Sequence, residues 1–246
     1  KGAIMAEHGV KLPADLTSEK LLELCHADRP DRIYPIFPFL EYASNGGDPQ
    51  VNATGYGASE YNGLNALTDT FTLKSFDELL KCANKGWDVY FWNQDNTLIG
   101  FNDGTDVLAG ISMSSVYPTV TRFPTSGAKS TMTVSFAHED AEESLLNFDY
   151  VQLDFNPKNF LMGLVDVVLE KTEAENAYKI IEKIGDRTEE FGSLIADSAA
   201  EVMNNTTSAS YADGVITIVP KAGVVPSLKA PSVLFEKGIK GIEQVA

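Results

Sequence analysis

Trp87-Asp88-Val89-Tyr90-Phe91-Trp92 is followed at once by Asn93-Gln94-Asp95-Asn96 and then by Thr97-Leu98-Ile99-Gly100-Phe101. The first run is rich in aromatic and β-branched residues, the second in turn formers, and the third is β-prone again, so the stretch predicts a hairpin. Alternation puts Trp87, Val89 and Phe91 on one face of the first strand and Asp88, Tyr90 and Trp92 on the other. A strand with large apolar side chains on both faces must be covered on both. It is therefore read as the spine of a β-rich body.

Working toward the C-terminus, Asn102-Asp103-Gly104-Thr105-Asp106 predicts a second turn, 107–117 a strand and 118–127 a loop. Residues 129–138 alternate cleanly, and 148–155 and 161–170 predict two more strands joined around Asn156-Pro157. The last third reads as β-α-β. Segment 174–184 is open between a helix stopped by Gly185 and a strand. Residues 191–203 carry Phe191, Leu194, Ile195, Ala199, Val202 and Met203 on one helical face. Asp213-Gly214 predicts a tight turn between strands 207–211 and 215–219. The tail from Pro220 holds Pro226, Pro231 and several glycines, and is expected to be mostly irregular.

Toward the N-terminus, Ser75-Phe76-Asp77-Glu78 has capping-box spacing and opens a helix over 75–84, with Gly86 as its stop. Residues 16–25 form a shorter helix capped by Thr17 or Ser18. Between Arg29 and Phe39 lie Pro30, Pro35 and Pro38, which forbid helix and require an extended chain. Their alternation with aromatics suits an arm lying along another surface. Segment 44–66, rich in Ser, Asn, Gly and Asp, reads as a long loop. The expected organisation is an N-terminal helix, arm and loop over 1–74, a β-rich main domain over 75–220 and an irregular tail over 221–246. The fold class is α+β: a β-rich body, an antiparallel sheet or sandwich, with a few helices and an extended N-terminal arm.

The 246 residues carry 35 acidic against 19 basic side chains, a net charge of −16, with 43% hydrophobic residues. That apolar fraction excludes disorder as the main state. The most apolar stretch, 160–169, is half the roughly 20 residues a spanning helix needs and contains Asp166, so no membrane span is expected. The acidic surplus argues against gripping DNA or RNA, which takes clustered Lys and Arg. It fits either plain solubility or a surface that lies beside nucleic acid without holding it. Cys25 and Cys82 are the two cysteines, read as buried or free thiols. Residues 1–5 lack the apolar core of a signal peptide. Lys1 suggests a processed or otherwise derived start, with Met5 as the alternative.

Catalytic signatures are missing. His8 is placed in a mobile end, His26 at a helix C-terminus where a cation suits the dipole, and His138 at an exposed strand end. No GxSxG elbow, phosphate loop, EF-hand or zinc spacing occurs, and the 102–106 segment reads as an Asx-stiffened turn. No pair among the carboxylates is singled out for sugar hydrolysis. Trp87, Tyr90, Trp92 and Tyr117 are candidates for a sugar-stacking platform, the alternative being core and interface. Asn52-Ala53-Thr54 and Asn204-Asn205-Thr206 match the glycosylation sequon. No catalytic, cofactor-binding or metal-binding residue is assigned, and no cofactor is expected.

Trp87–Phe91, Gly100–Asp106 with Ala109-Gly110, Ala128–Val134, Asn147-Phe148-Asp149 and Gly163–Val167 resemble segments of virion structural proteins from tailed, crAss-like bacteriophages of the Bacteroidetes. The resemblance implies a tail-tube-like barrel as one form of the fold. It also implies a non-enzymatic subunit of the virion, assembled in the cytoplasm of the bacterial host. Its implied partners are copies of itself in a cyclic ring and other proteins of the collar, tail or capsid. No specific nucleic-acid binding and no membrane are implied. Capsid decoration and a carbohydrate- or surface-binding module are the alternatives. In a ring of identical subunits the arm would wrap a neighbour, and a negative lumen would let DNA pass without sticking.

Overall fold

The computed structural model describes residues 1–55, 58–73, 86–105, 107–119, 131–183, 191–221 and 224–245. The chain groups into two compact units, one of Lys1–Leu21 with Ile33–Leu161, the other of Leu22–Arg32 with Met162–Ala246. These units do not follow the limits drawn at 74/75 and 220/221. The helix expected over 75–84, Cys82, residues 120–127 of the loop expected over 118–127, and Gly185 fall outside the described residues.

In the first unit the strands are β1 (Gly2–Ala6), β2 (Ile33–Ile36), β3 (Phe39–Asn45), β4 (Pro49–Gly55), β5 (Ala58–Leu64) and β6 (Thr68–Leu73). They continue with β7 (Trp87–Trp92), β8 (Thr97–Phe101), β9 (Ile111–Pro118), β10 (Met132–His138) and β11 (Phe148–Gln152). The hairpin read from sequence is β7–β8, with Phe91 opposite Ile99 and Trp92 opposite Leu98. The other half of that edge, Trp87–Val89, pairs with β9. The opposite edge is taken by β1 from Asp88 to Trp92, with Ile4 across from Tyr90. From β7 the sheet therefore branches, through β8 to β11 and through β9, β10 and β6 to β3.

This sheet rolls up. Two strands lie between β7 and β6 in the strand order, a separation of roughly 14 Å if flat. Yet the rings of Phe91 and Phe71 are 5.3 Å apart. Phe136 meets Phe91 edge-on at 5.5 Å, and Phe39 stacks on Phe71 at 4.3 Å. The concave face is thus filled by aromatics from four strands, with Met113, Val116, Met132 and Val134 completing the core.

Several expectations about the N-terminal part are corrected. Every residue of β1 is buried, so residues 2–6 are a sheet strand and not part of a mobile end. Sequence missed it because five mostly small residues carry no alternation. Of the supposed arm, Ile33–Ile36 is a buried strand, with Pro35 opposite Ile4 on β1. The extended conformation forced by the prolines is right; its freedom is not. The long loop is also structured: β3 and β6 pair, and between them β4 and β5 form a separate two-stranded hairpin. Its base is closed by Asp48 N–H donating to Asn65 Oδ1 at 2.8 Å.

The helix Ala141–Leu146 was not foreseen. Asp140 caps it, accepting from the Glu142 and Glu143 amides at 2.8 and 3.0 Å, a signal that was present as Asp140-Ala141-Glu142-Glu143. The helices are numbered α1 (Ser18–Cys25), α2 (Ala141–Leu146), α3 (Gly192–Asp197), α4 (Ala199–Val202) and α5 (Pro231–Glu236).

The second unit continues with β12 (Val165–Lys171), β13 (Ala177–Glu182), β14 (Met203–Asn204), β15 (Thr206–Ala212), β16 (Val215–Pro220), β17 (Ser227–Leu228) and β18 (Ile242–Gln244). Its main sheet runs β15-β16-β13-β12-β18, antiparallel except for β18, which is parallel to β12. Within the segment left open between helix and strand, Ala177–Glu182 is strand because β13 is hydrogen-bonded on both sides, by β12 and β16. Asp213 and Gly214 both take positive φ, 51° and 78°, as the tight hairpin turn requires. The expected helix 191–203 is split at Ser198 into α3 and α4. The tail is far from irregular. Pro231 starts α5, and Leu234, Ile239 and Ile242 are buried in the unit's core.

The β-rich α+β class holds. Phe136 is fully buried at the centre of the aromatic face. Phe136→Ala is expected to destabilise the first unit by about 3–5 kcal/mol, read from denaturant unfolding, since the rolled sheet cannot collapse onto the vacated volume.

Candidate functional site

The polar cluster nearest to catalytic composition surrounds Asp88 on β7. His8 Nδ1 lies 2.7 Å from Asp88 Oδ1, Ser112 Oγ donates to the same oxygen at 3.0 Å, and Gly9 N–H donates to Oδ2 at 2.7 Å. His, Asp and Ser are thus together, but in the wrong order. A nucleophilic triad needs the imidazole between hydroxyl and carboxylate. Here the carboxylate is in the middle, and the serine proton is given to an acceptor that cannot relay it onward. The imidazole lies close against Gly86, where a Cβ would come within 2.2 Å of His8 Nε2. The cluster fastens the turn after β1 to β7. His8, expected in a mobile end, is one of its fastenings.

Tyr90 serves the same attachment from the same face. Its hydroxyl lies 3.3 Å from both Val10 O and Leu12 N, and burial pushes its pKa up. With Trp87 and Trp92 it is buried, so these rings offer no sugar-stacking platform; of the strand aromatics proposed for that role, only Tyr117 is exposed. The platform is corrected to core because the rolled sheet covers one face of β7 and the N-terminal segment the other.

His138 is buried too, correcting its placement at an exposed strand end. Its Nε2 lies 2.9 Å from Asp69 Oδ2, and Tyr42 donates to Asp69 Oδ1 at 2.9 Å. Burial works to raise the Asp69 carboxyl, but hydrogen bonds from His138, Ser44 and Tyr42 outweigh it and hold it below its ordinary 3.8. His138 Nδ1 has no hydrogen-bond partner among the described residues. Glu139 and Asp140 do not join this group.

In the second unit, His26 is held as a neutral ring, which corrects its reading as a helix-terminal cation. Its Nδ1 lies 2.8 Å from the Leu22 carbonyl, and its Nε2 accepts from Gly241 N–H at 2.8 Å, so both nitrogens are used by one tautomer. Desolvation lowers its pKa, and nearby Lys240 and Arg32 add to the effect. Arg32 reaches Glu243 through two nitrogens, at 2.6 and 3.2 Å. Burial pushes the Cys25 thiol up to about 12, leaving it protonated and unreactive.

The 102–106 turn behaves as read, as far as it is described. Gly104 N–H donates to Asn102 Oδ1 at 2.8 Å and Thr105 N–H to Asp103 Oδ1 at 3.1 Å. Asp103 also pairs with Lys11, whose hydrogen bond holds its carboxyl down at about 2. Among the described residues no group of three or more His, Cys, Asp and Glu side chains is arranged to hold a metal ion. A shallow cleft lined by Phe101, Ile111, Ser112, Asp140, Glu143 and Ser144 gathers no reactive set, because Asp140 and Ser144 are committed to the start of α2. No described helix is long and apolar enough to cross a membrane.

What the surface does offer is sheet edge. Among the described residues β3 pairs only with β6 and β11 only with β8. Both carry large apolar side chains into solvent: Leu40 and Tyr42 on β3 (51% and 59% exposed), Phe148 and Tyr150 on β11 (49% and 71%). Sequence reasoning passed over these residues because nothing in their local pattern tells an edge from a central strand.

No protein family matches the chain, and no curated protein does. Among solved structures, the cryo-EM structure of the anti-feeding prophage cap, described as the AFP tube terminating cap, is similar over 48% of this chain and 83% of that one. Identity is 12% and the TM-score 0.26. A likeness at that level fixes neither fold nor role.

Asp88→Ala strands the Gly9 amide and the Ser112 hydroxyl. Loss of about 2–3 kcal/mol of stability in chemical denaturation is the expected outcome. His26 sets a pH dependence of the second unit. Its stabilising contribution is whole above its ordinary pKa of 6.5 and is lost as pH falls from there through the lower folded value, because the unfolded chain takes the proton first. Melting temperature should drop across that window in the native chain and stay flat in His26→Gln.

Proposed function

We propose that the chain is a structural, non-enzymatic component of a bacteriophage virion, forming a homo-oligomeric ring in the collar or tail that helps build the DNA conduit. The observation that carries the reading is the open β3 edge, with Leu40 and Tyr42 exposed, running into the separate β4–β5 hairpin. An edge with apolar side chains and unpaired backbone groups invites another chain, and monomeric proteins usually blunt such edges. Repeated head to tail, such a contact closes a ring.

Three other features support the reading. Segments such as Trp87–Phe91 and Gly100–Asp106 resemble virion structural proteins. The polar cluster with catalytic composition has its carboxylate where a triad needs its imidazole. The net charge of −16 suits a wall that DNA passes without adhering. Other proteins of the particle are its further partners and the virion its location. Burial of Trp87, Tyr90 and Trp92 removes the feature that favoured a carbohydrate-binding module.

Light scattering and electron microscopy of the purified protein test this. A closed ring is expected. Leu40→Asp should reduce the mass toward that of one chain while circular dichroism stays unchanged, and replacement of Pro49–Leu64 by a short Gly-Ser link should reduce it likewise with only the strand signal of that hairpin lost. A protein that remains monomeric at high concentration would overturn the reading.

A further inference from the structure

The second open edge lies, like the first, in a stretch of sequence without Lys or Arg, but in a more acidic one, since only Glu41, Asp48, Glu60 and Asp69 fall between Ile33 and Leu73. Between Thr131 and Pro157 there is no Lys or Arg, while Glu139, Asp140, Glu142, Glu143, Asp149 and Asp154 all fall in that interval. Within it, β11 presents Phe148, Tyr150 and Gln152 on its exposed face. Asn102 N–H donates to the Asn147 carbonyl and Leu153 N–H to the Asn96 carbonyl, so the odd-numbered residues direct their backbone groups toward β8. By alternation the backbone groups of Phe148, Tyr150 and Gln152 point to the open side. One of them is already engaged: Asp149 Oδ1 accepts from Tyr150 N–H at 2.8 Å.

We infer that the β11 edge is a docking site for an extended segment of another protein in which Lys or Arg alternates with apolar or aromatic residues, added as a further strand. The occupant follows from charge. A strand entering beside β11 must displace the Asp149 carboxylate from the Tyr150 amide, and a displaced carboxylate needs a cation. A Lys or Arg on the incoming segment supplies it, and the surrounding acids add to the attraction. Phe148 and Tyr150 give the apolar residues of the segment a surface to cover. A second copy of this edge does the opposite, since it brings two acidic stretches together and leaves both Asp149 carboxylates without a cation. The inference does not rest on the proposed ring: it concerns a different edge and is read on the chain whatever its oligomeric state.

The test uses short labelled peptides and fluorescence anisotropy with the full chain. A peptide alternating Lys with Val and Tyr is expected to bind, and more weakly as salt rises. The same peptide with Glu for Lys is expected not to bind. Phe148→Ser with Tyr150→Ser should weaken binding by about tenfold or more, as truncation of buried aromatic anchors does. Both side chains are about half exposed or more, so the fold is retained, with circular dichroism as the check. Asp149→Lys should shift preference toward the Glu peptide.

A control separates strand addition from attraction of any polycation to an acidic protein. The Lys peptide with Pro at every second Val cannot add to a sheet edge. If it binds as tightly as the parent, or if the Glu peptide matches the Lys peptide, the inference is overturned. It is equally overturned if no peptide binds and the Phe148 and Tyr150 substitutions change oligomeric mass instead, which assigns the edge to a second copy.

Discussion

Strand β7 is paired along both edges and covered on both faces, and most of the first unit depends on that. One edge is shared end to end by β9 and β8, which makes the sheet branch. The other is filled by β1. Three strands thus meet on the six residues of β7, whose backbone groups are satisfied only if β1 is in place. Gly2 shows how close the fit is: a Cβ there would come within 2.3 Å of the Trp92 ring. Branching also allows the sheet to roll, because the two arms leave β7 in different directions. Phe39, Phe71, Phe91 and Phe136 then meet in the hollow.

Polar residues in this protein do positional work. Asp88 collects hydrogen bonds from a serine, a backbone amide and a histidine, and the result ties a turn to a strand. His26 plays the corresponding part in the second unit, where the neutral ring joins α1 to the turn before β18. Each is buried and partnered, as groups that cost free energy to desolvate must be. Reactivity would need a nucleophile beside a base, whereas around Asp88 the serine hydroxyl and the imidazole both turn to the carboxylate.

The chemistry left for the outside is that of edges. β3 and β11 end the two arms of one sheet, and both put aromatic residues into solvent. Their surroundings differ. Neither stretch of sequence holds a basic side chain, but β11 falls among six acids in 27 residues (131–157) and β3 among four in 41 (33–73). That difference in acid density makes them fit for different neighbours.

Local rules settled a good deal from the sequence alone. The β7–β8 hairpin follows from two β-prone runs around Asn93-Gln94-Asp95-Asn96, the Asp213-Gly214 turn from residues that tolerate positive φ, and the extended course near Pro35 from the fixed φ of proline. Each depends on interactions a few residues apart. Tertiary structure decided the rest. Gly2–Ala6 became a strand only because β7 had an edge to fill, and 177–182 chose strand over helix because it has a partner on each side. The same cause turned Trp87, Tyr90 and Trp92 from a conceivable binding face into core, and left Phe148 and Tyr150 outside. Which edge is paired and which face is covered are properties of contacts between residues far apart in the chain, and no local pattern encodes them.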